Sequence, residues 1–174
     1  MVQAQTFTPD IRLFGRQDIP EIVEAFEELG WDKPASQYER YLMEQALKVR
    51  DVYIARVKGQ FAGYLTICWQ SSYPSFREKN IPEVMDFNVL PKFRRMGIGT
   101  QLMDRAEAEI ASVSQVAGIG VGMTSDYGAA HRLYVLRGYI PDGNGLSYRG
   151  LPTRHGDIVK TDDNLVLYLT KELR

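Results

Sequence analysis

One segment near the middle of this 174-residue chain constrains its fold more than any other. An apolar stretch over residues 81–90 has the composition of a buried β-strand, and an amphipathic pattern over residues 99–111 predicts a helix. A short loop with two arginines and two glycines joins them. A second apolar stretch, residues 119–123, suits another buried strand. Strand, helix and strand in this order predict a βαβ unit, and therefore a pair of parallel strands.

The loop inside this unit has the features of a phosphate-binding turn. It leads directly into a helix, and the first N–H groups of a helix lack partners within it and have partial positive charge. Gly97 and Gly99 allow the backbone to approach a ligand closely and several N–H groups to face one anion. The loop does not have the P-loop pattern G-x-x-x-x-G-K-[ST], which disfavours a P-loop NTPase. An unrelated nucleotide-phosphate binder remains an alternative.

The surrounding segments predict a mixed α/β architecture. Helices are expected over residues 19–29, 36–49 and 127–136, and a hairpin over residues 52–57 and 61–69. A loop is expected over residues 70–79, a turn-dense segment over residues 139–148 and a closing strand over residues 165–169. The hairpin implies antiparallel strands. We therefore expect one domain over residues 1–174, with a central, mostly antiparallel sheet, one parallel strand pair and helices on both faces.

Composition narrows the class of protein. The formal net charge is −1, so global charge provides no attraction to nucleic acid or to an anionic membrane. No apolar run is long enough to span a bilayer, and residues 1–10 lack the apolar region of a signal peptide. Cys68 is the single cysteine, and neither His131 nor His155 belongs to a ligand cluster, so no metal site is predicted. These features predict a cytoplasmic protein that binds neither nucleic acid nor membranes.

Two segments of the chain resemble motifs of the GNAT acetyltransferases. The first motif of that family is R/Q-x-x-G-x-G/A, and here it reads Arg94-Arg95-Met96-Gly97-Ile98-Gly99. The second is often A-x-x-L-Y-x-x-x-G-F/Y, and here it reads Ala130-His131-Arg132-Leu133-Tyr134-Val135-Leu136-Arg137-Gly138-Tyr139. The resemblance implies the GNAT fold and an N-acyltransferase that transfers acetyl from acetyl-CoA to a primary amine by direct attack.

The resemblance also implies where the acyl donor binds. In the family, the glycine loop cradles the pyrophosphate of acetyl-CoA and the end of the preceding strand orients the thioester carbonyl. Many relatives have an asparagine where this chain has Tyr127, so Ser125, Asp126 or a backbone group is an alternative contact there. The expected donor-binding residues are Phe87, Asn88, Val89, Arg94, Arg95, Met96, Gly97, Ile98, Gly99, Thr100, Ser125 and Tyr127.

Two residues are expected to move protons. By resemblance, Tyr134 protonates the departing thiolate, a role that suits a phenol able to hydrogen-bond sulfur and then donate its proton. Glu83 lies near the start of the first predicted strand, where several relatives have a general-base glutamate. Strand alternation places Glu83 on the face of Met85, Phe87 and Val89, above an apolar strip. Glu83 is either this base or a solvated charge at the strand entrance, in which case water removes the proton.

Aromatic residues beside loops are the candidates for the acceptor site. In the family this pocket is formed by the first two helices, the loop before the glycine-motif strand and the last strands, where Trp31, Tyr38 and Tyr73 border loops. Aromatic rings suit a cation or a flat apolar group. The acceptor is predicted to be a small-molecule or peptide amine. The alternatives are a noncatalytic CoA-binding sensor, against which Tyr134 argues, and transfer of a longer acyl group or transfer to oxygen. The sequence leaves the oligomeric state open, a homodimer included.

Overall fold

A computed structural model describes residues 8–173. Residues 1–7 of the polar segment judged not to be a signal peptide lie outside this description. The elements are β1 (Asp10–Leu13), α1 (Ile19–Glu27), α2 (Ala35–Ala46), β2 (Arg50–Val57), β3 (Gln60–Cys68), α3 (Pro74–Glu78), β4 (Glu83–Val89), α4 (Ile98–Ala111), β5 (Val116–Gly122), α5 (Gly128–Leu136), β6 (Ile140–Tyr148), β7 (Leu151–Pro152) and β8 (Leu165–Glu172). Within the described chain, no helix is both long enough and apolar enough to cross a membrane.

The strands follow the order β1-β2-β3-β4-β5-β8-β6-β7 in an open mixed sheet. Antiparallel pairing joins β1 to β2, β2 to β3, β5 to β8, β6 to β8 and β6 to β7. Strands β4 and β5 are parallel, with Glu83 opposite Gly118 and Val84 opposite Ile119. The predicted fold class, a mixed α/β protein with a mostly antiparallel sheet and a parallel pair, is confirmed.

The described residues form two compact units. The first contains the residues up to Trp69 together with Met85–Glu109, and the second contains Gln70–Val84 and the residues from Ile110 onward. Strand β4 therefore begins in the second unit and continues into the first. The prediction of one domain over residues 1–174 remains a prediction.

Aromatic side chains fill the core of the first unit. Phe26 of α1, Tyr38 of α2 and Tyr64 of β3 are fully buried. The ring of Tyr64 makes edge contacts with the rings of Phe26 and Tyr38, at centroid distances of 6.0 and 5.8 Å. Edge-to-face contacts of this kind stabilise a core beyond the apolar area that they bury. Helices α1 and α2 are thereby fixed to the strand β3.

In the second unit, a short helix packs an aromatic ring against a glycine of β5. The sequence predicted a loop over residues 70–79, whereas Pro74–Glu78 forms the helix α3. Pro74 suits the first turn of a helix, and the turn buries Phe76 in a cluster with Tyr73 and Ile81. The ring of Phe76 occupies the space beside Gly118 of β5, where an added Cβ would lie 2.3 Å from it. Burial of the Phe76 ring thus favours a helix where the sequence predicted a loop.

Two other segments add detail to the prediction. The turn-dense segment over residues 139–148 contains the strand β6, Ile140–Tyr148, which pairs with β8. The turn residues interrupt the pairing of this strand. The register shifts between Pro141 and Leu146, and Gly143 and Gly145 have positive φ. Helix α2 ends at Ala46 rather than at residue 49, because the backbone turns left-handed at Lys48 (φ 57°).

The contact between Phe76 and Gly118 predicts a cost for any side chain at position 118. Gly118→Ala should lower the free energy of unfolding by about 1–3 kcal/mol, since the buried ring must move aside. Gly128→Ala is the matched control, because Gly128 begins α5 with helical φ and open space around it. The control should be neutral or stabilising. Urea denaturation of both variants tests this, and equal stabilities would refute the packing argument.

Candidate active site

The loop after β4 places the start of a helix against the end of the strand. Its backbone is left-handed at Arg95 (φ 61°) and Gly97 (φ 77°). Around Gly97 the space is open, because an added Cβ would meet only the Nε2 of Gln101, at 3.9 Å. At Gly99 an added Cβ would lie 3.1 Å from the ring of Phe87. Gly99 therefore permits close packing of α4 on β4, while Gly97 leaves backbone accessible at the positive end of the helix.

Arg94 and Trp31 lie together beside this loop. The Arg94 Nε donates a hydrogen bond to the carbonyl oxygen of Val89 at 3.1 Å, and its guanidinium lies 6.0 Å from the Trp31 ring. Trp31 is 36 % exposed and stacks on Phe26, with ring centroids 5.7 Å apart. The first unit thus brings together one predicted donor-binding residue and one predicted acceptor-binding residue.

The strand before the loop contains a left-handed residue that the sequence did not predict. Asp86 has a φ of 46° and a largely buried carboxylate. One carboxylate oxygen accepts hydrogen bonds from Lys33 Nζ at 2.5 Å and from Asn88 Nδ2 at 2.9 Å. The other accepts from Gln37 Nε2 and the Tyr41 hydroxyl, each at 2.9 Å, and from the hydroxyl of Tyr64. Five donors therefore converge on this one side chain.

The charge of Asp86 is stabilised by this environment. Burial alone would raise the pKa of its carboxyl, but the Lys33 ammonium and hydrogen bonds from Lys33, Tyr64 and Tyr41 outweigh burial and hold the pKa below its usual value. The carboxylate in turn contributes, after burial, to raising the pKa values of the Tyr41 and Tyr64 hydroxyls. Both phenols therefore remain protonated donors at neutral pH.

Strand β3 also fixes the end of β4. Gly63 lies so close that an added Cβ would be 2.5 Å from the carbonyl oxygen of Asn88. The Leu90 N–H donates to the carbonyl of Ala62 at 2.9 Å, and the Thr66 hydroxyl donates to the carbonyl of Met85 at 3.0 Å. The backbone on either side of Asp86 thus has partners on β3.

Tyr38 occupies a different environment from the one expected. It is fully buried, and its hydroxyl lies 3.5 Å from that of Tyr64. Burial raises the pKa of this hydroxyl. The expectation that Tyr38 borders a loop open to a ligand is corrected, because α2 turns this side chain inward to complete the aromatic core.

In the second unit, Glu83 is a buried carboxylate and not a solvated surface charge. It begins β4 and is 4 % exposed. The Ser71 hydroxyl donates to its Oε2 at 2.5 Å, and the same hydroxyl oxygen accepts the backbone N–H of Tyr73 at 3.0 Å. Ser71 therefore orients the carboxylate. Sequence reasoning missed Ser71, for which the chain gives no signal beyond its place in the loop before β4.

Tyr73 borders a cavity of about 230 Å³ that lies within the second unit. Its ring stacks on Tyr168 at a centroid distance of 3.6 Å, and its hydroxyl donates to Asp142 at 2.7 Å. Burial, followed by the charges of Glu83, Tyr73 and Asp142, raises the pKa of Tyr168 to about 12. The cavity is lined by Tyr73, Pro74, Ser75, Asn144, Gly145, Leu146, Ser147, Gly150 and Pro152. Its size suits part of a small ligand.

Tyr134 lies on α5 with its side chain 5 % exposed. Burial, reinforced by Tyr127, raises the pKa of its hydroxyl, which keeps the phenol protonated at neutral pH. Among residues 8–173, no hydrogen bond to this hydroxyl is found. The Tyr127 ring packs against Gly122, and its hydroxyl donates to Asp163 at 3.1 Å. Ser125 is exposed in the turn before α5.

A metal centre has no support in the part of the chain that the structure describes. No group of three or more His, Cys, Asp or Glu side chains there could hold an ion. His131 Nε2 lies 2.7 Å from the carbonyl oxygen of Gly122, which is a packing contact between α5 and β5.

Sequence comparison identifies related proteins. Residues 17–139 match the acetyltransferase (GNAT) family, which is more than two thirds of the chain. An uncharacterized N-acetyltransferase from Archaeoglobus fulgidus is 33% identical over 75 residues, covering 42% of this chain and 50% of that protein. The matched region thus spans half the length of this curated relative.

Solved structures share the fold. An N-acetyltransferase from Staphylococcus aureus superposes with a TM-score of 0.69 at 15% identity, covering 96% of this chain and 99% of that chain. The ribosomal-protein-alanine N-acetyltransferase from Brucella melitensis has a TM-score of 0.69 at 17% identity, with 94% and 99% covered. A Salmonella typhimurium protein, solved with its cofactor acetyl-CoA, has a TM-score of 0.68 at 18% identity, with 96% and 95% covered. At these identities the likeness establishes the fold.

The lowered pKa of Asp86 predicts a stability term that depends on pH. The charged carboxylate should stabilise the fold above about pH 4, the pKa of an unfolded aspartate, and this term should be lost as pH falls through the lower folded pKa. At pH 7, Asp86→Asn should cost about 3–5 kcal/mol, because it leaves the Lys33 ammonium without its charge partner. Urea denaturation from pH 7 to pH 3 should show this difference shrinking below pH 4.

The exposed carboxylate of Asp32, in the loop before α2, provides the control. Asp32→Asn should differ little from the parent across the same pH range. A stability difference for Asp86→Asn that stays constant down to pH 3 would contradict the charge-based explanation.

Proposed function

Because the chain belongs to the acetyltransferase (GNAT) family, we propose that it transfers the acetyl group of acetyl-CoA to the nitrogen of an amine acceptor. The observation that supports this most strongly is the loop between β4 and α4. Its backbone is left-handed and open at Gly97, at the N-terminal end of a 14-residue helix. Such an end suits the pyrophosphate of a CoA ester.

The residues of the first unit fit this donor. The open backbone at Gly97 and the charges of Arg94 and Arg95 would hold the pyrophosphate, together with Met96, Ile98, Gly99 and Thr100 of the same loop and helix start. Backbone groups of residues 87–89 would orient the thioester carbonyl. Hydrogen-bond donors that are already in position when negative charge develops on a carbonyl oxygen account for much of enzymatic acyl-transfer catalysis. Ser125 and Tyr127 of the second unit are proposed to contact the rest of the cofactor.

Glu83 is proposed to remove the proton of the attacking amine. Most aliphatic amines are protonated at neutral pH, so attack on a thioester requires a base. Glu83 is buried, and Ser71 orients its carboxylate at 2.5 Å. The proton would pass to the carboxylate directly or through one water. The new bond forms between the amine nitrogen and the acetyl carbon, and the bond between that carbon and the CoA sulfur breaks.

Tyr134 is proposed to protonate the CoA thiolate that leaves. Its buried phenol holds the proton at neutral pH and has its hydroxyl unused by residues 8–173. A developing thiolate in contact with the hydroxyl would take this proton. This supports an enzyme rather than a noncatalytic CoA sensor, in which no proton donor for sulfur is needed.

Trp31 of the first unit and Tyr73 of the second are each proposed as acceptor-binding residues. The proposed acceptor is a small-molecule amine or a peptide amine. We also propose a cytoplasmic location, which accords with a single cysteine and hence no intrachain disulfide. Light scattering on the purified protein tests for a homodimer.

An acceptor panel tests the proposed activity. Purified protein and acetyl-CoA are incubated with a polyamine, an amino sugar, an amino acid or a peptide with a free N-terminus, and release of free CoA thiol is measured. At least one acceptor should raise thiol release above the rate without acceptor, and mass spectrometry should find the acetylated amine. Binding of acetyl-CoA without turnover on any amine would instead favour the sensor.

Gly97 should determine donor binding. In Gly97→Asp, a carboxylate would meet the pyrophosphate with like charge and block the approach to the backbone. We expect acetyl-CoA binding to be abolished in calorimetry. Gly59→Asp is the matched control, since Gly59 also has a positive φ (79°) and open space but lies in the β2–β3 turn. Both variants should lose similar stability, and unchanged acetyl-CoA affinity in folded Gly97→Asp would refute the assignment.

Tyr134 should affect turnover more than binding. Tyr134→Phe keeps the ring and removes the proton donor, so kcat should fall by about 10² to 10⁴. The acetyl-CoA dissociation constant should change little. Tyr148→Phe, which removes a partly buried hydroxyl of β6, should retain the parent kcat. Parental turnover in Tyr134→Phe would make it a packing residue and assign thiolate protonation to water.

Glu83 should show the pH signature of a base. Glu83→Gln keeps the size of the side chain but cannot take a proton, so turnover should fall at neutral pH and recover partly at high pH, where more of the amine is neutral. A residue that only binds a cationic acceptor would instead raise the acceptor KM with kcat intact. Glu78→Gln, an exposed glutamate of α3, should follow the parent profile. Superimposable profiles for Glu83→Gln and the parent would assign proton removal to water.

A further inference from the structure

The backbone at Asp86 is unusual for a strand. Its φ of 46° lies in the left-handed region, in the middle of β4 and three residues before the strand ends at Val89. This conformation costs free energy for a residue other than glycine, and it persists only where the surrounding structure holds the residue in place. An aspartate tolerates the left-handed region better than most residues, but it does not require it.

The surroundings of Asp86 come from three parts of the chain besides β4 itself. Lys33 lies in the loop after α1, Gln37 and Tyr41 lie on α2, and Tyr64 lies on β3. All four donate hydrogen bonds to the carboxylate. The Lys33 and Asp86 side chains are only 19 % and 17 % exposed, so their attraction is little screened by water. The Asp86 carboxylate thus links β4 to α2, to β3 and to the loop after α1.

Phe87 and Val89, which follow in the strand, face the opposite direction from Asp86. The side chains of Phe87 and Val89 lie beside Gly99 of α4, at 3.1 and 3.6 Å from where its Cβ would be. Asn88, like Asp86, faces the carboxylate side, where its amide donates to Asp86 at 2.9 Å. One face of this segment is therefore held by Asp86 and its hydrogen-bond donors. The other face packs against α4, the helix that begins at the glycine loop.

We propose that Asp86 is a positioning residue that acts through the backbone of residues 87–89. Its carboxylate anchors the left-handed turn to α2, β3 and Lys33, and thereby fixes the peptide groups that orient the thioester. This inference rests on the proposed acetyl transfer. It adds a role for a side chain that does not itself touch the reacting atoms. Misplacement of such groups by about 1 Å costs about 10²-fold in rate.

The variant Asp86→Gly removes the carboxylate but still permits the left-handed backbone conformation. Glycine adopts a positive φ without strain but provides no carboxylate. With acetyl-CoA and the fastest amine of the acceptor panel, kcat should fall by about 10²-fold, as expected for misplacement. The acetyl-CoA dissociation constant, measured by calorimetry, should stay the same because the glycine loop is unchanged. Amide hydrogen exchange at residues 87–90 should become faster in the absence of ligand.

The control and a second variant keep the test decisive. Lys48→Gly also places glycine at a left-handed position of the first unit (φ 57°), and it should keep the parent kcat and the parent exchange rates at residues 87–90. Should Asp86→Gly fail to fold, Tyr41→Phe removes a single donor to the carboxylate and should lower kcat in the same direction with affinity unchanged. In Tyr41→Phe, exchange at residues 87–90 should also be faster.

The other outcomes are distinguishable. A parent protein that acetylates no amine would overturn the proposed function, and the positioning role with it. A parent that turns over, together with an Asp86→Gly variant of parental kcat, would overturn only the positioning role. An equal loss of kcat and of acetyl-CoA affinity would also overturn it, because Asp86 would then support donor binding as a whole.

Discussion

Helix α4 begins in close contact with β4, and the small residue Gly99 lies at this contact. An added Cβ at Gly99 would lie 3.1 Å from the ring of Phe87, closer than ordinary van der Waals contact. This single approach brings the positive end of a 14-residue helix to the carboxyl end of the strand. At the same end, the space beside Gly97 is open. Much of the proposed donor chemistry depends on this contact.

The carboxylate of Asp86 complements that contact from the other face of the strand. Gly99 fixes the strand against α4, and the donors to Asp86 fix it against α2 and β3. Rigid placement of backbone groups is what acyl transfer requires, since hydrogen bonds to a developing oxyanion act only if they need no reorganisation. Glu83 and Tyr134, the residues proposed to handle protons, belong to the second unit. Each is buried, which removes competition from bulk water around its proton.

Sequence reasoning predicted the fold class because the decisive signals were local. The strand, glycine loop and helix around Gly97 could be identified from composition and periodicity, and so could the parallel pair that follows from them. Local signals failed where long-range packing decides. The helix α3 forms because Phe76 is buried beside Gly118, and these residues are far apart in the chain. Tyr38 lies in the core because α2 turns it toward Tyr64, which residue type alone does not indicate.

The hydrogen-bond network around Asp86 could not be predicted from local sequence signals either. Its members span residues 33–88, and no motif groups them. A glycine inside an apolar strand, Gly63, was the available signal that another backbone lies close by, since such glycines often mark a close approach. No such signal in the sequence indicated the left-handed backbone at Asp86, because an aspartate in a strand usually faces solvent.

A crystal structure of the protein with acetyl-CoA is the most direct test of the central claim. The account predicts that the pyrophosphate accepts hydrogen bonds from backbone amides of residues 95–99, and that the thioester carbonyl lies within hydrogen-bond distance of the backbone of residues 87–89. A pyrophosphate bound away from Gly97, or a thioester remote from residues 87–89, would contradict it.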